Sequence, residues 1–175
     1  MPNPRRNIEL KARSCNPERD LETCRTLDAE PFGTLQQRDT YFHARRGRLK
    51  LREEGGATPH LISYVRPDTP EQRESRYWIA AVAQAAELKA ALSGALEIEA
   101  IVVKQRQLFL WREVRIHLDA VDGLGSFIEF EAVAPAHSDL AEERQKVHEL
   151  RDAFGIGDAD LVATSYRDLV IERRA

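Results

Sequence analysis

From Asn7 to Arg13 the chain reads Asn-Ile-Glu-Leu-Lys-Ala-Arg, a polar or charged side chain alternating with an apolar or small one at every step. A period of two is the repeat of a β-strand. It puts Asn7, Glu9, Lys11 and Arg13 on one face, with Ile8, Leu10 and Ala12 on the other. A single strand of this kind would be no more than a sheet with a wet outer face. The pattern returns along the chain with both signs of charge, and this repetition restricts the fold. Arg48, Lys50 and Arg52 share a face opposite Leu49 and Leu51, and Arg115, His117 and Asp119 oppose Val114, Ile116 and Leu118. Glu129 and Glu131 share a face beside large apolar neighbours.

The punctuation between these segments supports strands joined by turns. A second strand runs from Leu35 to His43, with Gln37, Asp39, Tyr41 and His43 on one side, and Arg45-Arg46-Gly47 turns it into the third. A fourth, His60 to Arg66, carries Ile62, Tyr64 and Arg66 on one face and closes at Pro67-Asp68-Thr69-Pro70. A short fifth strand holds Arg73, Ser75, Tyr77 and Ile79. A long sixth, Ile98 to Trp111, carries Lys104 and Arg106, and Arg112-Glu113 and Asp122-Gly123-Leu124-Gly125 separate the last two. Adjacent hairpins of this kind predict an antiparallel meander.

Four stretches read as helices. Asn16-Pro17-Glu18 has the N-cap, the first-turn proline and the acid of a helix start, with Leu21, Cys24 and Leu27 spaced to pack and an end expected before Pro31-Phe32-Gly33. Ala80 to Ala95 is alanine-rich and proline-free, which predicts a second helix. Ser138 caps a third through Phe154, stopped at Gly155, and a fourth spans about 158–172.

With 175 residues and no linker, repeat or low-complexity tract, residues 1–175 are expected to form one domain. A net charge of −3 gives no global attraction to nucleic acid or an anionic membrane, so affinity for anions must come from local clustering. No apolar run is long enough to span a membrane, and the start of the chain leads into polar sequence, so a cytoplasmic location is expected. Cys15 and Cys24 lack metal or redox spacing and are expected to be buried free thiols.

The rails carry the chemistry. Glu129 and Glu131 are costly neighbours unless a cation lies between them. Hard oxygen donors suit Mg²⁺ or Mn²⁺, which keep waters and share coordination with substrate phosphates. The Arg48-Lys50-Arg52 rail is self-repelling unless anions face it, and a polyphosphate would satisfy it through charge-assisted hydrogen bonds. One charge pair at about 4 Å is worth roughly 4 kcal/mol at an effective dielectric of about 20, before desolvation. Alternation leaves two arrangements open: the charged faces point outward as guarded edges, or inward.

These segments resemble, in order, the motifs of the CYTH superfamily, the triphosphate tunnel metalloenzymes. The likeness begins at Asn7-Ile8-Glu9-Leu10-Lys11, similar to a Glu-x-Glu-x-Lys strand, and continues through 37–42, 47–52, 104–106 and 114–119 to Gly123-Leu124-Gly125-Ser126-Phe127-Ile128-Glu129-Phe130-Glu131. The tyrosine and glycine-loop motifs look closest to the class IV adenylate cyclase branch. The resemblance implies an α+β fold, an antiparallel eight-stranded β-barrel with a polar interior and helices packed outside. It implies that Glu9, Glu129 and Glu131 bind Mg²⁺ or Mn²⁺. It implies that Lys11, Arg48, Lys50, Arg52, Lys104, Arg106 and Arg115 grip phosphates, with Arg66 and Arg73 as further basic lining. Lys11, Arg115 and Asp119 are the candidate catalytic residues, Asp119 as a metal-side or water-positioning acid.

The family's first glutamate is Asn7 here, which offers a carbonyl oxygen but no charge and no base. The expected function is metal-dependent chemistry on a triphosphate: cyclisation of ATP, or hydrolysis of thiamine, inorganic or nucleoside triphosphate. The alternative is a non-catalytic module that binds polyphosphate or nucleotide. Expected partners are a small triphosphate and, compatible with the sequence, a second copy of the chain in a homodimer. A membrane is not expected, and sparse aromatics beside the rails disfavour nucleic acid.

Overall fold

In the computed structural model, which describes residues 3–174, eight strands close on themselves. Met1 and Pro2, part of the start that leads into polar sequence, and Ala175 lie outside the described residues. The strands are β1 (Arg5–Arg13), β2 (Glu30–Phe42), β3 (Arg48–Glu54), β4 (His60–Val65), β5 (Arg73–Ala81), β6 (Ile98–Trp111), β7 (Val114–Val121) and β8 (Gly125–Ala134). Around the barrel they run β1-β5-β4-β3-β2-β6-β7-β8, and every pair is antiparallel. Helices α1 (Pro17–Thr26), α2 (Ala85–Ala95), α3 (Ala141–Phe154) and α4 (Tyr166–Arg174) pack outside or across its end. This is the α+β barrel that the family resemblance implied.

The alternation of β1 resolves into a barrel turned inside out. Ile8, Leu10 and Ala12 point outward and are fully buried under helices, joined by Ile116 of β7, Phe130 of β8 and, from α1 and α3, Cys24, Val147, Leu150 and Phe154. The rings of Phe130 and Phe154 meet edge to face at 5.1 Å. The opposite face is equally dry: Asn7, Glu9 and Lys11 are 4%, 7% and 3% exposed. Both faces being buried, the charged rail is a lining and not a wet surface. A second apolar cluster seats α2 on the barrel through Phe42, Leu51 and Val82.

Several element boundaries differ from the periodicity reading, each for a local reason. Ala80 and Ala81, expected to open a helix, extend β5 by pairing with Leu61 and His60, so pairing overrides alanine's helix propensity and α2 begins at Ala85. Pro31-Phe32-Gly33, expected to separate helix from strand, lies inside β2 at a register shift against β6, with Gly33 at φ +146°. The last helix starts at Tyr166 and not near residue 158. Asp158–Asp160 makes one 3-10 turn, Leu161 bridges to Ala12, and the Val162 N–H donates to the Lys11 carbonyl. Ser165 and Asp168 then cap α4 reciprocally, Ser-x-x-Asp with both backbone N–H groups satisfied. Ser138 accepts from the Leu140 N–H and donates to Glu143, while Leu140 itself stands at the cap with φ +70°. Cys15 is exposed, contrary to expectation, because it falls after β1 ends; Cys24 is buried, and both are free. Among the described residues no helix is long and apolar enough to cross a membrane.

Candidate active site in the barrel interior

Strand pairing decides which rails face each other. β1 lies between β5 and β8, placing Glu9 opposite Arg73 on one side and Glu131 on the other, with Lys11 opposite Glu129. β7 sets His117 opposite Glu129 and Arg115 opposite Glu131. β2 and β3 put Asp39 beside Arg52 and Tyr41 beside Lys50. Most of these inward side chains line a cavity of about 150 Å³ that is partly open to solvent, while Arg73, His117 and Asp39 are not part of its lining. Its lining includes six cationic residues, Lys11, Lys50, Arg52, Arg66, Lys104 and Arg115, against three carboxylates, Glu9, Glu129 and Glu131.

Four expected site residues stand behind this lining. Arg73 has a fully buried side chain that donates to Glu9 at 3.0 Å and to the carbonyls of Thr69 and Val162. Arg106 makes a two-pronged pair with Asp119 at 2.6 Å and reaches Glu129 at 2.8 Å. Asp119 also accepts from the Tyr166 hydroxyl at 2.8 Å and from Lys104 at 3.3 Å, so its oxygens are committed to positioning cations. Arg48 is held by Asp68 and Asp168 at 2.7 and 2.9 Å.

The electrostatics follow from burial against pairing. Burial opposes ionisation of Asp39, but Arg52 and Lys50, at 2.7 and 2.8 Å, hold its carboxyl well below the usual range. Asp119 is likewise held down by Arg106 and Lys104 against its burial. Glu129 is held well below its ordinary value by Lys11, His117 and Arg106, also against burial. Glu9 goes the other way: burial raises it, and Glu129 and Glu131 add to the rise, while Arg66 and Arg73 offset only part. Burial lowers Lys11, and burial with the neighbouring Arg106 brings Lys104 down to about 7.

The residues fit a divalent cation. Among the described residues His117, Glu129 and Glu131 each present one ligand atom, all within 4.8 Å of one another. The Asn7 Oδ1 lines the same cavity, is buried and has no hydrogen-bond partner. An orphaned buried acceptor costs about 1–3 kcal/mol, and a cation or its water would satisfy it. Glu9, expected as a ligand, has its Oε1 engaged by Arg66 at 3.1 Å and Arg73 at 3.0 Å.

Sequence reading did not single out Asp39 as the anchor of two cations, nor His117 as a neighbour of the glutamates, although both share the parity of their rails. It also missed Tyr166, whose ring lies 3.8 Å from the Lys11 Nζ and 4.9 Å from the Lys104 Nζ. Nothing in the local sequence of α4 signals that Tyr166 closes the barrel; only the path of residues 158–165 brings it there.

The chain is a closed antiparallel barrel whose cavity wall carries more cations than carboxylates. The chain belongs to the CYTH domain family, whose pattern it matches over residues 5–166. Among solved structures it is similar to the PH1012 protein of Pyrococcus horikoshii OT3, with a TM-score of 0.84, 20% identity, and coverage of 94% of this chain and 99% of that one. A Vibrio parahaemolyticus protein described as a candidate adenylate cyclase gives a TM-score of 0.76 at 23% identity, covering 93% of this chain and 96% of the other. HpAC1 from Hippeastrum, described as having a dominant triphosphatase activity, gives 0.66 at 12% identity, with 97% and 96% covered. At these identities the likeness concerns the fold. Among curated proteins no sequence match is found.

Proposed function

We propose that this protein is a metal-dependent enzyme acting on a triphosphate held inside the barrel, as an adenylate cyclase of the class IV type or a triphosphate hydrolase. One observation carries the reading: six Lys and Arg side chains against three Glu line one cavity inside the barrel. Each of these cations has a carboxylate partner, but on the cavity wall they outnumber the glutamates, and a linear polyphosphate, with its row of negative charges, is the small anion that would offset that surplus. Residues 1–175 act as one such domain in this reading, in the cytoplasm, with Mg²⁺ or Mn²⁺ at the glutamate wall.

Lys11, Lys50, Arg52, Arg66, Lys104 and Arg115 bind and orient the phosphate oxygens. Arg48, Arg73 and Arg106 hold the supporting frame. The buried cations face the oxygens on which charge builds as the bridging P–O bond breaks, so they stabilise the departing phosphate without reorganising. Asp119 fixes Arg106 and Lys104. A bound divalent ion would add polarisation of phosphoryl oxygens at Glu129 and Glu131. In hydrolysis water attacks the terminal phosphorus and the bond to the bridging oxygen breaks. The diphosphate part departs with that oxygen, and the terminal phosphorus is released with the water oxygen as orthophosphate. In cyclisation the ATP 3′-hydroxyl attacks the α-phosphorus and pyrophosphate leaves. The register of the chain of phosphates along the cations selects between them.

A non-catalytic binding module is the second reading, favoured by Asn7 in place of a carboxylate and by the clamping of Glu9 between Arg66 and Arg73. Incubation with ATP, thiamine triphosphate and inorganic triphosphate, each with Mg²⁺ or Mn²⁺, separates the two. Metal-dependent release of cyclic AMP, pyrophosphate or orphophosphate, lost in Glu129→Ala and Glu131→Ala with the fold intact, supports the enzyme. Tight triphosphate binding without turnover supports the module.

A further inference from the structure

All four tyrosines of the chain line the cavity, an aromatic content that a site for phosphate alone does not need. Three of them stand under cations: the Lys11 Nζ lies 3.8 Å from the ring centre of Tyr166, and the Lys50 Nζ lies 5.4 and 5.8 Å from those of Tyr41 and Tyr64. Tyr77 is placed differently, and the two ends of the cavity show how. One end is sealed by the chain itself. The Val162 N–H donates to the Lys11 carbonyl at 2.9 Å, Arg73 and Arg66 donate to the carbonyls of Val162 and Ala163, and the Tyr166 hydroxyl donates to Asp119. Lys104 and Tyr166, at this floor, are 2% and 3% exposed. At the other end the Arg115 side chain is 46% exposed and Ile79 is 37% exposed. The start of β7, the end of β8, the start of β1 and the end of β5 meet at that rim through their antiparallel pairing. The cavity is therefore blind, with its mouth at Arg115 and Ile79. Ile62 pairs with Ile79 and Tyr64 with Tyr77, so an apolar and aromatic strip runs up the inner face of β4 and β5 to the mouth, where Tyr77 is half-buried.

We infer that a triphosphate enters this cavity free end first, and that Tyr77, with Ile62 beside it, holds a heteroaromatic group carried on the other end, so that Tyr77 separates triphosphate esters from inorganic triphosphate. The floor leaves no exit for a second substituent, so whatever the phosphate chain carries stays at the mouth. An aromatic face there gives little to a phosphate chain, but it holds a heteroaromatic ring by stacking, whatever the ring's hydrogen-bonding pattern. The cations lie deeper, on β1, β3 and β6, and take the phosphates. This inference rests on the reading of a triphosphate inside the barrel, and names the class of triphosphate and its direction.

The test is calorimetric binding to the intact protein in EDTA, and again with Mg²⁺. The ligands are ATP, thiamine triphosphate, inorganic triphosphate and diadenosine triphosphate, which has adenosine at both ends and no free terminal phosphate. Diadenosine triphosphate should bind at least roughly tenfold more weakly than ATP, having no end to insert. Tyr77→Ala should weaken ATP, thiamine triphosphate or both by roughly tenfold, the loss of one stacked ring, and inorganic triphosphate far less. Loss confined to one of the two organic ligands identifies the group that the mouth holds. Tyr77→Phe, which keeps the ring, should bind like the wild type. Circular dichroism reports whether the variants fold, and Tyr77→Leu keeps bulk without the ring. Equal losses for all three ligands in a folded variant, or no loss for either organic one, overturn the role of Tyr77. Diadenosine triphosphate binding as tightly as ATP overturns entry by the free end. If no triphosphate binds with or without Mg²⁺, the triphosphate reading itself fails.

Discussion

Lys104 shows how far a single side chain departs from its ordinary behaviour in this barrel. Burial lowers its amine from 10.5 to about 7, Arg106 and Arg52 push the same way, and Asp119 and Asp39 pull back. Unfolded, the amine keeps its proton to near 10.5. Between about 7 and 10.5 the unfolded chain thus binds more protons, and the stability this residue contributes is lowest below 7 and rises with pH across that window. A polyanion in the cavity reverses the balance by favouring the ammonium form. Binding of inorganic triphosphate at about pH 8 should take up protons, and affinity should fall as pH rises above 7. Calorimetry in buffers of different ionisation enthalpy reads that uptake, and Lys104→Met should reduce it sharply. Identical heats in every buffer for the wild-type protein would rule it out. Asp39 is the converse case, a carboxylate 1% exposed whose removal would strand Lys50 and Arg52; breaking a buried pair of this type costs about 3–5 kcal/mol.

At the scale of the elements, the turns carry as much of the register as the strands. Gly47, between β2 and β3, has φ +70°, and a Cβ there would lie 2.5 Å from the Tyr64 carbonyl oxygen of β4. Backbone cannot give way cheaply at that distance, so Gly47→Ala should lose about 1–3 kcal/mol in a urea titration. Gly55, in the next turn, has open space around it and no positive φ, and Gly55→Ala should change little. Equal costs would show that the β2–β3 turn is not what fixes the third strand. The differences between expected and observed elements have the same origin. Ala80 and Ala81 favour a helix by themselves, but β4 offers them partners. Residues 158–165 carry apolar spacing that suits a helix, yet Leu161 and Val162 pair with β1 and delay α4 to the Ser165–Asp168 cap. Propensity is worth tenths of a kcal/mol per residue for ordinary residues, so a few tertiary hydrogen bonds decide.

For the whole molecule, closure of the sheet removes its edges and gathers more cations than carboxylates around a small cavity. That interior should therefore gain stability when an anion fills it. At about 100 times Kd, inorganic triphosphate should add about 2.7 kcal/mol by mass action. For a chain of this size that is a rise in Tm of roughly 5–10 °C. Orthophosphate, which can engage fewer of the cations at once, should bind more weakly and give a smaller shift at the same concentration. No shift under conditions where calorimetry shows binding would mean that the unfolded chain binds the anion equally well, so that the folded barrel is not what recognises it.

The alternating rails, the turn residues between them and the apolar stripes of α1 and α3 were legible in sequence, because strand and helix periods are local properties of the chain. So were most residues of the cavity, since parity alone assigns Glu9, Lys11, Lys50, Arg52, Glu129 and Glu131 to charged faces. Parity could not decide whether those faces met water or one another. Only closure of β1 against both β5 and β8 turned them inward. Closure also separated residues that share a rail: Arg48 went to Asp68 and Asp168, Arg73 to Glu9, and Arg106 to Asp119, while their neighbours kept the cavity. Which charge pairs with which depends on distances across strands far apart in the chain, and no local pattern contains those distances.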